Sequence, residues 1–322
     1  MEKPSFDVPI LLLIFNRPDV TEQVFKEVRK LKPAKLFISA DGPRANRPDD
    51  AENCRITREV ITEHIDWQCE VQTLFQSKNL GCKYAVVAGL DWFFEQVEEG
   101  IVLEDDDIPD PSFFLFCKEL LEKYRNDPRV MTIEGTSIQD KNPRFKNEDS
   151  YYFSRMPMGW GWAGWRRSWK LYDVEIKDWP EVKAAGTLRE KFANPGAYER
   201  FARVWDDYYD GKINSYDGQM VFAFVKNDGV SITPNKNLVA NIGFGAAATH
   251  LNKLDSKWAN MQTFPVAFPL RHPKEIVINK SADDYLYREY FKLDKKLHHR
   301  MLRPFKNAFP GIYSAAKRIL KK

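Results

Sequence analysis

Four carboxylates stand in an unbroken run at Glu104, Asp105, Asp106 and Asp107, directly after Ile101-Val102-Leu103. Packed side by side they repel, and burying them is costly unless a cation or hydrogen-bond donors compensate. A hard divalent cation meets that need, because Mn²⁺ and Mg²⁺ prefer carboxylate oxygen and often keep one or two protein ligands beside phosphate and water. The plainer alternative is a solvated acidic turn ahead of a helix, since Asp110-Pro111-Ser112 precedes an apolar run. The apolar, β-branched stretch feeding the run reads as a strand buried on both faces, and open α/β sheets bind ligands at the carboxyl ends of such strands.

Other residues of chemical interest are scattered along the chain. Asn16 and Arg17 follow the apolar run Pro9–Phe15, where a side chain in place of glycines can hold a phosphate; a surface turn explains them equally. Asp41-Gly42-Pro43 is ordinary turn chemistry, or else its carboxylate accepts the imide N–H of a uracil-type ring. Between Met158 and Trp169, glycines alternate with tryptophans: glycine lets a ligand approach the backbone, and indole faces pack on sugar C–H surfaces or fill a core. Gly161 and Trp162 are the binding candidates there. Asp217 precedes the apolar stretch Met220–Val225 and reads as a helix cap or as a general base. Asn241 to His250 is a small-residue loop suited to closing over a phosphate, with His250 a candidate cation or phosphate ligand.

The elements that must position these groups alternate. Apolar runs at 9–15, 36–40, 71–75, 101–103 and 130–133 read as strands, and the periodic stretches at 20–31, 56–61, 84–97 and 112–124 as helices. Short connections between β and α segments predict a parallel, doubly wound sheet, because right-handed crossovers leave few other arrangements. The loops holding Arg17, Asp41 and the acidic run then share one rim. The second half is expected to be helical over 178–210, broken at Asn194-Pro195-Gly196, and again over 220–225, with short strands at 230–233 and 238–239. The expected organisation is a nucleotide-binding half over 1–135, an aromatic-rich catalytic half over 136–275, and a basic C-terminal segment over 276–322.

At 322 residues, with 43% hydrophobic content, the chain is long enough to bury a sizeable core. Its net charge is +3, yet residues 291–322 hold ten Lys/Arg against one Asp, so a mildly acidic body carries a basic tail. Such a localised charge does not suit nucleic-acid binding. Leu297, Met301, Leu302, Phe305 and Phe309 interleave with the basic residues, a pattern that suits either a packed solvated helix or contact with an anionic membrane. Four cysteines without a C-x-x-C pair are expected to be free thiols in a reducing compartment. No apolar stretch is long enough to span a bilayer, and the first strand leaves no room for a signal peptide ahead of it, so a cytosolic location is expected.

No G-x-G-x-x-G follows the first strand and no G-x-x-x-x-G-K-[ST] occurs, which argues against a Rossmann dehydrogenase or a P-loop nucleotidase. The ordered motifs instead resemble nucleotide-sugar glycosyltransferases of the GT-A fold, and among them the N-acetylglucosaminyltransferase I family and its bacterial relatives. The segments that carry the resemblance are IVLEDDDIPDPSFF at 101–114, Gly159-Trp160-Gly161-Trp162, Tyr216-Asp217, and Phe244-Gly245 with Thr249-His250; together they span about residues 8–252. The resemblance implies an α/β, Rossmann-like, mostly parallel sheet flanked by helices and an inverting transfer from a nucleoside-diphosphate sugar, with uridine diphosphate first in line. It implies that Asp106 ligates Mn²⁺ or Mg²⁺, Asp105 contacts the ribose, Glu104 faces the sugar, Arg17 and Asp41 hold the nucleotide, and Asp217 deprotonates the acceptor.

Two positions depart from the family pattern. Asp107 replaces an apolar residue, so the cation ligand can slip by one, and Gly218 replaces an acidic or bulky residue beside the base. The membrane anchor and stem of eukaryotic members have no counterpart here, so the expected setting is bacterial surface-glycan synthesis, with a glycan or lipid-linked glycan as acceptor. The rival readings are a sugar nucleotidyltransferase, which needs a Gly-rich basic loop after its first strand, a haloacid-dehalogenase-like phosphatase, whose D-x-D-x-[TV] pattern fails at Pro109, and a non-catalytic glycan-binding protein.

Overall fold

The computed structural model describes residues 2–192, 194–243 and 258–292. In chain order the elements are β1 (Ile10–Ile14), α1 (Pro18–Leu31), β2 (Lys35–Ala40), α2 (Asp50–Thr62), β3 (Glu70–Phe75), α3 (Gly81–Gln96), β4 (Glu99–Glu104), β5 (Asp107–Pro109), α4 (Pro111–Tyr124) and β6 (Val130–Glu134). The second half adds β7 (Tyr151–Ser154), β8 (Trp162–Trp165), α5 (Arg166–Trp169), α6 (Trp179–Ala185), α7 (Pro195–Tyr209), α8 (Asp217–Lys226), β9 (Val230–Pro234), β10 (Val239–Asn241) and α9 (Lys280–Glu289).

Eight strands form one sheet in the order β3-β2-β1-β4-β8-β6-β9-β7. β1, β2, β3 and β4 pair in parallel, as the alternating pattern predicts, and β6 pairs in parallel with β9. β8 is antiparallel to both β4 and β6, and β7 is antiparallel to β9. The fold is therefore α/β with a mostly parallel sheet flanked by helices. β7 and β8 are additions to the sequence reading: in β8, Trp-Ala-Gly-Trp lacks the β-branched composition that marks a strand, and its place comes from partners about 30 and 60 residues away.

Strand periodicity explains why the apolar runs are continuous. Ile10, Leu12 and Ile14, with Ile101 and Leu103, face a cluster containing Val24, Phe25 and Val28 of α1 and Phe113, Phe116 and Leu120 of α4. Leu11, Leu13 and Val102 point the opposite way and meet Val87, Leu90, Phe93 and Phe94 of α3. Each fully buried side chain of this kind stabilises by about 1.5–3 kcal/mol, so both faces hold the sheet and fix where its carboxyl rim lies. A separate cluster joins Trp179, Phe201, Trp205, Tyr208, Phe222 and Tyr287 of α6 to α9 and carries the start of α8.

Residues 276–292, which the sequence reading groups with the basic tail, pack into the body. Ile278 bridges to Phe153, and Asp283 of α9 accepts from Ser154 Oγ at 2.6 Å and Arg155 N at 3.0 Å. The apolar face of α9, with Leu286 and Tyr287 buried, overrides the local charge. The rest of the tail, 293–322, lies outside the described residues. No helix among the described residues is long and apolar enough to cross a membrane. All four cysteines are free.

Candidate active site

The loops after β1 and β4 meet as the parallel sheet requires. Arg17 donates through Nε to Asp105 Oδ2 at 3.0 Å and through Nη2 to Asp105 Oδ1, while Nη2 also reaches Asp106 Oδ2 at 2.9 Å. Burial works against the guanidinium charge, but the two aspartates more than offset it and raise its pKa, so Arg17 stays protonated. Asp106 also accepts from Asn241 Nδ2 at 3.0 Å, and its own carbonyl accepts from Ile242 N at 2.9 Å. These contacts dock the β10 end on the acidic run, reinforced by the antiparallel β5–β10 pairing. Burial, then the charge of Asp105, raises the Asp106 pKa, with Arg17 opposing.

The other two carboxylates of the run behave differently. Asp107 is fully buried and accepts from Glu104 N at 3.1 Å and Gly161 N at 2.8 Å. Both amides fall on Oδ2, so Asp107 closes the turn and ties the Gly161 backbone to the rim, while its Oδ1 has Asn241 Nδ2 at 3.5 Å. Glu104 accepts from Tyr216 Oη at 2.8 Å, and burial, then the charge of Asp106, pushes its pKa up to about 8.

Tyr216 leads directly to Asp217, the first residue of α8. Its capping reading is not what the fold uses: Tyr216 occupies the cap position and makes no side-chain capping hydrogen bond. The Asp217 carboxylate, on an exposed residue, instead accepts at Oδ1 from Tyr208 Oη at 2.6 Å and from Ser215 Oγ. At the start of α3, burial, then the charges of Glu104, Asp217, Asp105 and Asp41, push the Cys82 thiol up to about 12.

Three expected ligand residues have other occupations. Asp41 accepts from Gly42 N and Leu80 N at 2.8 Å each, from Asn79 Nδ2 at 2.7 Å and from Gly81 N at 3.1 Å. Four donors fill the roughly four lone-pair sites of a carboxylate, leaving none for an imide N–H. Trp162 is buried in the core against Phe94, not on a ligand surface, because β8 turns its indole to the α3 side of the sheet. Asn16 remains at the rim, with its Nδ2 on Asp50 at 2.8 Å. Arg44 holds that same Asp50 carboxyl down at about 2 and lies over the Phe15 ring, so Asn16 belongs to a side-chain array after β1. Phe244, Gly245, Thr249 and His250 lie outside the described residues.

Sequence reasoning did not single out Asn241, Tyr208 or Glu134. Glu134 ends β6 and accepts from Met158 N at 2.9 Å and Gly159 N at 3.0 Å, shaping the Gly-Trp-Gly loop. An acidic residue ending an apolar strand was the available signal for Glu134; for Asn241 and Tyr208 there was none, since their partners lie 135 and 9 residues away.

Among the described residues no three or more His, Cys, Asp or Glu side chains form a cluster able to hold a metal ion alone. The residues present do fit an ion that takes most of its ligands from phosphate and water. Asp105 and Asp106 share one guanidinium, leaving the acidic run short of positive charge. Gly243 also passes so close that a Cβ there would lie 1.7 Å from Asp106 Oδ2, so the backbone cradles that oxygen. A groove between α1 and the β5–β10 ribbon is lined by Lys26, Arg29, Lys30, Ile108, Ala240 and Ile242. Its cations are paired with Glu22, Asp66 and Glu27.

No family model matches the chain, and no curated protein matches it. Among solved structures it is similar to the 4-diphosphocytidyl-2C-methyl-D-erythritol synthase of Anaerococcus prevotii, at 11% identity over 70% of this chain and 87% of that one, TM-score 0.35. A UDP-glucose pyrophosphorylase complexed with UDP-glucose aligns at 10% identity over 70% and 90%, TM-score 0.35. Mouse xyloside xylosyltransferase 1 aligns at 12% identity over 69% and 82%, TM-score 0.34. Likeness at this level transfers neither substrate nor reaction.

Proposed function

We propose that this chain is a GT-A-type glycosyltransferase that moves a sugar, with inversion, from a nucleoside-diphosphate donor to a hydroxyl of a glycan or lipid-linked glycan. The observation that carries this reading is the joining of two unlike carboxylate sites at one rim. Asp105 and Asp106 are buried around Arg17, and Asp217 is exposed one residue from the Tyr216–Glu104 hydrogen bond. The motif resemblance supports a uridine diphosphate donor and a surface-glycan setting.

Asp106, with Asp105 beside it, would hold Mn²⁺ or Mg²⁺, which when bound supplies charge neutralisation for the departing diphosphate. Arg17 carries a permanent charge at the same spot, and its Nη1, the nitrogen not given to Asp105 or Asp106, would meet a phosphate oxygen. Glu104 is anchored by Tyr216 to face the donor sugar. Asp217 accepts the proton of the acceptor hydroxyl as its oxygen bonds to the anomeric carbon and the bond to the diphosphate breaks. The basic segment 293–322 would bring the enzyme to an anionic membrane carrying the acceptor, a role that equal liposome binding of full-length and truncated protein would exclude.

The test is release of uridine diphosphate from UDP-glucose and UDP-N-acetylglucosamine with Mn²⁺. Release that stops on chelation and in Asp106→Ala is the expected result. Metal-independent release would contradict the cation's role, and binding without any release would contradict the transferase reading and favour the glycan-binding alternative.

A further inference from the structure

We propose that Tyr208 of α7 is a positioning residue for Asp217, and that Gly218 is the glycine it is because the Tyr208 ring occupies the space beside it. This rests on the reading of Asp217 as the base. The Tyr208 hydroxyl donates to Asp217 Oδ1 at 2.6 Å and accepts from Gly218 N at 3.3 Å, so one phenol reads both the side chain and the backbone of the first helical turn. A Cβ at Gly218 would lie 2.0 Å from Tyr208 Cε2, far inside van der Waals contact. Trp205, one turn earlier on α7, donates from Nε1 to Gly218 O at 2.9 Å, so the helix straps the same residue from a second side. Both aromatic side chains are buried in the α6–α9 cluster, which gives the strap a rigid base.

The arrangement accounts for the departure at Gly218. A bulky or acidic residue there would collide with the phenol ring, so ring and glycine form a matched pair. A carboxylate with one oxygen tethered loses rotational freedom and presents its other oxygen in a fixed direction, the kind of orientation that base catalysis needs. Ser215 Oγ donates to the same oxygen, but only Tyr208 brings the anchor of the buried cluster, and an aspartate left with the serine alone would sample more rotamers.

The test is a double-mutant cycle on uridine diphosphate release from UDP-N-acetylglucosamine with Mn²⁺. Tyr208→Phe removes the hydroxyl but keeps the ring against Gly218. It is expected to lower kcat about ten-fold while donor KM stays within about two-fold. In an Asp217→Asn background the same change is expected to have no further effect, a result that a merely structural role would not give. Gly218→Ala is expected to reproduce the kcat loss by displacing the ring. Wild-type kcat in Tyr208→Phe beside an inactive Asp217→Asn would overturn the positioning role alone, as would independent losses that multiply in the double variant. Full activity in Asp217→Asn would remove the base assignment and the positioning role with it, a different pattern.

Discussion

Asp41 and Asp217 stand at the starts of two helices on one rim, and the molecule treats them in opposite ways. Asp41, which follows β2 and meets the start of α3 in space, is buried and saturated by four donors, two of them backbone amides of the Leu80–Gly81 turn. Asp217, opening α8, is exposed, and both of its described hydrogen bonds fall on Oδ1. A carboxylate whose lone pairs are spent on its own chain can only hold that chain in place. One tethered at a single oxygen can still take a proton. Donor count and exposure, more than residue type or position in a turn, separate the aspartate held to a structural role from the one left open to the proposed chemistry.

The comparison is sharpened most by exchanging charge for amide at both positions. Asp217→Asn is expected to lower turnover by about 10²–10⁴-fold, the usual worth of a general base, with donor affinity and melting temperature little changed. Asp41→Asn is expected to show the reverse. Its new NH₂ faces existing donors, which costs about 1–3 kcal/mol of stability, visible as a lower melting temperature, while turnover per folded molecule is kept. Loss of turnover in Asp41→Asn at unchanged stability would break the distinction.

Gly243→Ala comes next in size. The added methyl must push either Asp106 or the 241–243 backbone away, and Mn²⁺ affinity is expected to fall by about ten-fold or more, as an overpacked site loses geometry. Equilibrium dialysis of both proteins reads this directly.

A smaller effect concerns pH. Burial pushes the Asp283 carboxyl up to about 6, against hydrogen bonds from Ser154 and Arg155 N and the nearby Arg155 charge. A carboxyl raised above its unfolded value of 3.8 favours the protonated fold, so its contribution is full below about pH 4 and is lost as pH rises towards 6. Wild type should therefore lose up to about 3 kcal/mol relative to Asp283→Asn across that window, and nothing more above it. Parallel melting curves at pH 4 and 7 test this; a constant offset between the two proteins would contradict it.

How much of this was legible in the sequence follows the range of each interaction. The runs at 10–14, 36–40 and 101–103 read as buried parallel strands because α1 and α4 cover one face and α3 the other, which leaves no polar alternation. Their order placed Arg17 beside Asp105 and Asp106. β8 was not legible, because Trp162 and Trp165 look alike whether they line a ligand or fill a core, and only the strand's orientation decides. The role of Asp41 was equally hidden: turn chemistry and base recognition use the same residue, and the deciding donors come from Asn79 to Gly81 on another loop. Asn241 and Tyr208 act through contacts between distant elements or across a loop, where spacing carries no signal.

Under the proposed function Asp106, held between Arg17, Asn241 and Gly243, would grip a cation that in turn grips a diphosphate. Calorimetric titration of uridine diphosphate into the protein, with and without Mn²⁺, tests it most directly. Mn²⁺ is predicted to tighten binding at least about ten-fold in wild type and to have no effect in Asp106→Ala. Equal affinities with and without the ion in wild type, or an undiminished Mn²⁺ effect in Asp106→Ala, would contradict the account.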